Sequence, residues 1–209
     1  MSRYIAIAGI HGELKKLNNL LSKIRLRSDD IFIFLGDYID RGPNSKEVVD
    51  RVIGLSEHNQ CIYLIGAHEY TMLNVKNDEY YKWLFKNYGG PATIKSYGSF
   101  ENIMKIHGDF FRNLNLYCFT ENYFFVHAGI NPYYSLEEQD EADLLYIGWT
   151  FIDSLHNLPQ KIIFGHTDFE SPYILPDKIG INLGCGIYPY APLCALILDN
   201  GREKFVYSD

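Results

Sequence analysis

Five short apolar runs in this chain each stop at a tight loop where glycine stands beside histidine or aspartate. They are Tyr4–Ala8 into Gly9-Ile10-His11-Gly12, Ile31–Leu35 into Gly36-Asp37-Tyr38-Ile39-Asp40-Arg41-Gly42, and Cys61–Ile65 into Gly66-Ala67-His68-Glu69. The other two are Tyr123–Val126 into His127-Ala128-Gly129 and Lys161–Phe164 into Gly165-His166-Thr167. A short apolar run bounded by turn residues reads as a buried strand. A glycine turn at its end presents the next polar side chain at one edge of a sheet. Repeated along the chain, this brings imidazoles and carboxylates from distant segments to one edge, which is how a metal site is assembled. Gly9 and Ala67 stand in the same loops as small, inert residues where a ligand would be useful.

Between these runs the periodicity changes. Leu14, Leu17, Leu20, Leu21 and Ile24 recur at helical spacing, and residues 44–58 repeat the pattern behind Pro43, with Val48, Val49, Val52, Ile53 and Leu55 on one face. Strand–helix–strand–helix–strand predicts a parallel sheet with right-handed crossovers. From about 70 to 112 the pattern is helical, polar and aromatic, as expected of an inserted helical cap. Further strands follow at 115–119, 123–126, 161–164, 193–198 and 204–207, several joined by short turns, and these read as a second, more antiparallel sheet. The expectation is an α/β sandwich with a helical insertion, and 209 residues fit one domain covering 1–209.

A formal charge of −7 argues against a nucleic-acid-binding surface. Cys61, Cys118, Cys185 and Cys194 have no C-x-x-C or zinc-finger spacing and read as buried thiols. No apolar run approaches the ~18 residues of a membrane span, and the amino terminus lacks a signal-peptide pattern, so no membrane partner and a cytoplasmic location are expected.

The most specific segment is Gly36-Asp37-Tyr38-Ile39-Asp40-Arg41-Gly42. Two carboxylates three apart, followed by arginine between turn residues, are costly to bury unless metal or anionic partners compensate them. A lone histidine in such a loop is ordinarily a satisfied core residue; four at glycine-flanked strand ends beside Asp37 and Arg41 point to a functional origin. His58, His107 and His156 lie outside these loops and receive no role.

This motif resembles the calcineurin-like metallophosphoesterases, in particular their phosphoprotein phosphatase branch. The remaining loops fall in the matching order along nearly the whole chain. Gly89-Gly90-Pro91-Ala92-Thr93 with Ser96-Tyr97-Gly98 is similar to a stretch of bacterial Ser/Thr phosphatase-like and diadenosine-tetraphosphatase-like members. The resemblance implies a two-sheet metallophosphoesterase sandwich flanked by helices, with a helical cap over 70–112. It implies divalent metals (Mn, Zn or Fe) held by Asp37, His127, His166 and His11, and His68 as general acid with Asp40 orienting it. It further implies Arg41 as a catalytic and substrate-binding group for phosphate oxygens.

The chain departs from that pattern at several positions. Gly9 stands where the family carries Asp, Ala67 where it carries Asn, Gly148 where a second phosphate-binding arginine is expected, and Asn182 where an Asp is expected. The first metal position then keeps only His11 and Asp37, so at most one ion is expected to bind strongly. Asp37, His68, His127 and His166 are expected to meet around one point, beside space left by Gly9 and Ala67. The leading expectation is an impaired or inactive pseudophosphatase that binds a phosphorylated protein or small phosphoester. The alternative is an active metal-dependent phosphoesterase acting on phosphoprotein or nucleotide phosphoesters.

Overall fold

A computed structural model of the chain describes residues 3–209. The first half runs β1 (Arg3–Ile7), α1 (Leu14–Lys23), β2 (Asp30–Phe34), α2 (Ser45–Gly54) and β3 (Gln60–Tyr63). Four helices follow: α3 (Ala67–Asn74), α4 (Glu79–Asn87), α5 (Gly90–Tyr97) and α6 (Phe100–Arg112). The second half runs β4 (Tyr117–Phe119), β5 (Tyr123–Val126), α7 (Glu141–Tyr146), α8 (Trp149–Ile152) and β6 (Lys161–Phe164), then β7 (Tyr173–Ile174), β8 (Lys178–Gly180), β9 (Cys194–Asp199) and β10 (Arg202–Tyr207).

Two five-stranded sheets result, in the orders β10-β9-β1-β2-β3 and β4-β5-β6-β8-β7. The parallel pairing of β1, β2 and β3 is the one the alternating strand and helix patterns predict. The hairpin of β9 and β10 corrects the expected assignment. It pairs antiparallel to β1 and so widens the first sheet instead of the second. A hairpin's alternation states that it has an inner and an outer face but not which open edge it joins. The second sheet is completed by β7 and β8, too short to stand out as strands in the sequence.

Period-two alternation builds the layers. Ile5, Ile7, Phe32 and Phe34 point outward onto Leu17 and Leu20 of α1, Val48 and Val52 of α2, and Ile103 and Phe111 of α6. Ala6, Ala8, Ile33 and Leu35 point inward against Phe125, Ile163, Ile179 and Ile181 of the other sheet. Phe124, Val126, Ile162 and Phe164 face out again, under Leu144 of α7 and Phe151 of α8. Each Val, Leu, Ile or Phe among these contributes about 1.5–3 kcal/mol by leaving water. The stretch read as a cap divides in two, because α6 lays its apolar face on the first sheet while α4 stands over the edge where the loops converge. All four cysteines are free thiols. No helix among the described residues is long and apolar enough to cross a membrane.

Candidate metal centre and anion pocket

The loops that leave β1, β2, β3, β5 and β6 all lie at the carboxyl ends of parallel strands, where open α/β sheets place their ligands. Their backbones are strained there. Six described non-glycine residues have a left-handed φ, and five of them are at this edge: His11 (46°), Asp37 (57°), Asp40 (71°), Arg41 (66°) and His166 (57°). Each costs roughly 1–2 kcal/mol for an L-residue, and such strain gathers where a site dictates side-chain direction.

Asp37 is the centre. It shares one group of candidate ligand atoms with His11 and His68 and another with His127 and His166, the atoms of each group lying within 4.8 Å of one another. Its Oδ2 is 3.5 Å from His127 Nε2 and 3.7 Å from His11 Nε2. Backbone carbonyls set both tautomers. His127 Nδ1 donates to Leu35 O at 2.6 Å and His11 Nδ1 to Ile39 O at 3.2 Å, so each Nε2 keeps its lone pair, the arrangement found behind metal-ligating histidines. His127 Nε2 is buried and has no hydrogen-bond partner. Burial, reinforced by a neighbouring imidazole, pushes His11 down to about 3 and His166 down to about 4, so both rings are neutral at pH 7. Burial works against the Asp37 carboxylate, but the four imidazoles around it hold its pKa below the ordinary range.

Beside this centre, His68 Nδ1 lies 2.7 Å from Asp40 Oδ2. Burial disfavours the charged ring, but Asp37 and Asp40 outweigh it and raise the His68 pKa. Arg41 Nη2 lies 3.4 Å from His68 Nε2, its Nε is buried without a partner, and it forms no ion pair among the described residues. Asp40 and Arg41 do not pair with each other; Asp40 goes to His68 and Thr93, and the guanidinium is left without a carboxylate. The Gly89-Gly90-Pro91-Ala92-Thr93 segment explains how this turn is held. Thr93 bonds both the carboxylate and the amide of Asp40. Gly89 accepts from the Arg41 amide, and a Cβ on Gly89 would stand 2.4 Å from that nitrogen.

Every candidate named from the sequence converges here: His11, Asp37, Asp40, Arg41, His68, His127 and His166. Glu69 is a supporting residue the sequence reading passed over. Fully buried, it accepts from the amides of Asp37, Tyr38, Ile39 and Gly66 at 2.8–3.2 Å and so pins the Asp37 loop to the start of α3. Burial and the Asp37 charge push its carboxyl up to about 7. Its signal was present in Gly66-Ala67-His68-Glu69, where an acid behind a glycine turn is placed to collect free amides.

The altered positions differ from one another. A Cβ on Gly9 would lie 2.7 Å from Asn182 Oδ1, so that space is filled and not open as expected. Ala67 does line a cavity of ≈ 220 Å³, together with Arg41, His68, His166, Tyr146, the α4 residues Tyr80 and Leu84, and Tyr88 just after that helix. Tyr146 leans over it, its hydroxyl 3.3 Å from Ala67 O and 3.2 Å from Thr71 Oγ1. Gly148 faces open space. A larger cleft, ≈ 800 Å³, lies among Tyr4, Tyr123, Lys161 and Glu203 at the opposite edge and contains none of the converging residues.

The family model for calcineurin-like phosphoesterases matches residues 2–198. The chain is similar to the bis(5'-nucleosyl)-tetraphosphatase PrpE of Anoxybacillus flavithermus, 26% identical over 178 residues that cover 73% of this chain and 69% of that one. It is 30% identical over 93 residues to an uncharacterized protein of Methanocaldococcus jannaschii, a match covering 44% of this chain but only 35% of that relative. Among solved structures, a cold-active protein-tyrosine phosphatase of a Shewanella species aligns with a TM-score of 0.72 over 100% of this chain and 78% of that chain. At 17% identity that likeness speaks for the fold.

Proposed function

The chain belongs to the calcineurin-like phosphoesterase family, and we propose that its pocket binds a phosphorylated protein segment or a small phosphoester beside a single divalent ion, with hydrolysis impaired. The observation that carries this reading is Arg41. A guanidinium with a buried, unpartnered Nε, set against a histidine whose pKa is raised, is a place that requires an anion. Its planar fork suits two oxygens of a phosphoryl group.

Asp37, His127 and His166 fit a divalent ion. The orphaned Nε2 of His127, the neutral ring of His166 and one carboxylate form a mixed nitrogen and oxygen donor set suited to Mn, Zn or Fe. Such an ion supplies Lewis-acid polarisation of a phosphoryl oxygen. The other candidate position has a poorer set, because Gly9 offers no donor and the Arg41 guanidinium lies 3.4 Å from His68 Nε2.

The chain's own groups then divide the remaining work. Arg41 orients the phosphoryl group. His68, its Nδ1–H held by Asp40, turns Nε2 toward Arg41, where a bound phosphoryl group would meet it and it could carry a proton toward a leaving oxygen. Tyr80, Tyr88 and Tyr146 line the cavity beside it. Ala67 withholds a polar group from the pocket, and losing one preorganised donor typically costs about 2.7–4 kcal/mol of transition-state stabilisation. The intact His68–Asp40–Thr93 chain favours a second reading, a working metal-dependent phosphoesterase acting on phosphoprotein or nucleotide phosphoesters.

Turnover of p-nitrophenyl phosphate with manganese, measured beside Mn²⁺ content, separates the two. The first reading expects one ion per chain, slow turnover, and a rise in rate on adding Ala67→Asn and Gly148→Arg. Rapid turnover by the unaltered chain would establish the second.

A further inference from the structure

We propose that Asn182 closes the position beside Gly9, so that residues 9 and 182 form a coupled pair that limits the site to one divalent ion. This rests on the single-ion reading above and supplies its structural cause. Three observations carry it. A Cβ built on Gly9 meets Asn182 Oδ1 at 2.7 Å and Cγ at 3.2 Å, closer than a side chain tolerates without the neighbour moving. The neighbour is not free to move, since Asn182 is 1% exposed and tethered at both ends of its carboxamide. Its Nδ2 donates to His166 O at 2.9 Å, and its Oδ1 accepts from Gly184 N at 3.2 Å.

The third observation links the two halves of the centre. The carbonyl that Asn182 holds belongs to His166, which has a left-handed φ of 57° and belongs with Asp37 and His127. One carboxamide therefore occupies the volume next to Gly9 and braces the loop that carries a ligand of the opposite cluster. A carboxylate at position 9 has to displace that brace before it can reach His11 and Asp37. Gly9 and Asn182 thus exclude the second ion together, and reversing one alone does not readmit it.

The test is Mn²⁺ stoichiometry by equilibrium dialysis with elemental analysis, on the unaltered chain, Gly9→Asp, Asn182→Ala and Gly9→Asp/Asn182→Ala. The expected counts are one, one, one and two ions per chain. Two ions in the unaltered chain, or in Gly9→Asp alone, would overturn the proposal, as would one ion in a folded double variant. A count below one in Asn182→Ala with native circular dichroism would show that Asn182 serves the retained ion by bracing the His166 loop and not by filling the volume beside Gly9, and would overturn the proposal. No ion in the unaltered chain would remove the single-ion reading itself, whereas a count of one there with no gain in the double variant sinks only the coupling. Gly9→Ala guards against variants that do not fold. Its loss of urea stability is expected to shrink in the Asn182→Ala background, and equal losses in both backgrounds would contradict the steric pairing.

Discussion

Thr93 Oγ1 donates to Asp40 Oδ1 at 2.5 Å while accepting from the Asp40 amide at 2.8 Å, so one hydroxyl holds both the charge and the backbone of that residue. Asp40 has a left-handed φ of 71° and spends its other oxygen on His68, so little else keeps it in place. Thr93→Val keeps the shape and deletes the hydroxyl, leaving a buried carboxylate oxygen short of a partner and the amide with Ser45 Oγ alone. The expected loss is about 1–3 kcal/mol in urea unfolding, with Thr93→Ser recovering most of it. An unchanged midpoint for Thr93→Val would mean that Ser45 Oγ, 3.1 Å from the same amide, suffices.

Glu69 makes a comparable prediction beneath the metal centre. Four backbone amides converge on its carboxylate, three of them from Asp37, Tyr38 and Ile39. Glu69→Gln turns one acceptor oxygen into an amide group facing donors that it cannot satisfy. Stability is expected to fall by about 1–3 kcal/mol for each buried donor left without a partner. Asp37 loses the support of its loop as well, so Mn²⁺ affinity is expected to fall about 10- to 100-fold, as for other outer supports of metal ligands. Calorimetric titration checks the second part; an unaltered dissociation constant would show that the loop holds Asp37 without Glu69.

These supports mark the limit of what the chain reveals before folding. The converging residues were legible because each sits at a sequence boundary, an apolar run ending in a glycine-containing loop, and five such boundaries must share an edge once the strands are parallel. Thr93 and Glu69 stand in recognisable stretches, but the residues they hold lie 53 and 32 positions away, which no local pattern states. Asn182 could be seen to stand where an acid was expected, but not that its side chain lies against Gly9 across 173 positions. The hairpin of β9 and β10 failed for a related reason: alternation encodes faces, whereas the choice of open edge is decided by which sheet has an unpaired β1 beside it.

Away from the pocket, His107 predicts a pH effect. Its Nδ1 lies 2.7 Å from Tyr97 OH on α5, its Nε2 lies 3.1 Å from Asp50 on α2, and Lys46 on α2 pairs with the same Asp50. Burial lowers the His107 pKa, with Asp50 opposing and Lys46 adding to the shift. The unfolded chain then takes up this proton first as pH falls through the ordinary histidine value of about 6.5. Protons bound preferentially by the unfolded state reduce stability. The contribution is fully present above that value and is lost on acidification toward the lowered folded pKa. Urea midpoints across pH 7.5 to 5 are expected to decline less steeply in His107→Gln than in the parent. Parallel curves would show that other groups carry the acid sensitivity.

Ala67 provides the contrast to Gly9, and the comparison predicts opposite outcomes for two similar substitutions. Gly9 is backed by Asn182, whereas Ala67 borders the cavity shared by His166, His68 and Tyr146. It opens helix α3, where its 6% exposure reflects the neighbouring walls of the pocket. Asn at the first position of a helix costs little, because the backbone amide there has no helical partner to lose. Ala67→Asn therefore adds a carboxamide oxygen beside Asp37, His127 and His166 at small structural expense. Mn²⁺ affinity is expected to rise about tenfold, equivalent to ~1.4 kcal/mol, with the thermal midpoint of the metal-free protein nearly unchanged. Gly9→Asp alone is expected to lower that midpoint and leave affinity where it was. If the two variants behave alike in titration, the cavity at Ala67 does not open on the cluster around His127.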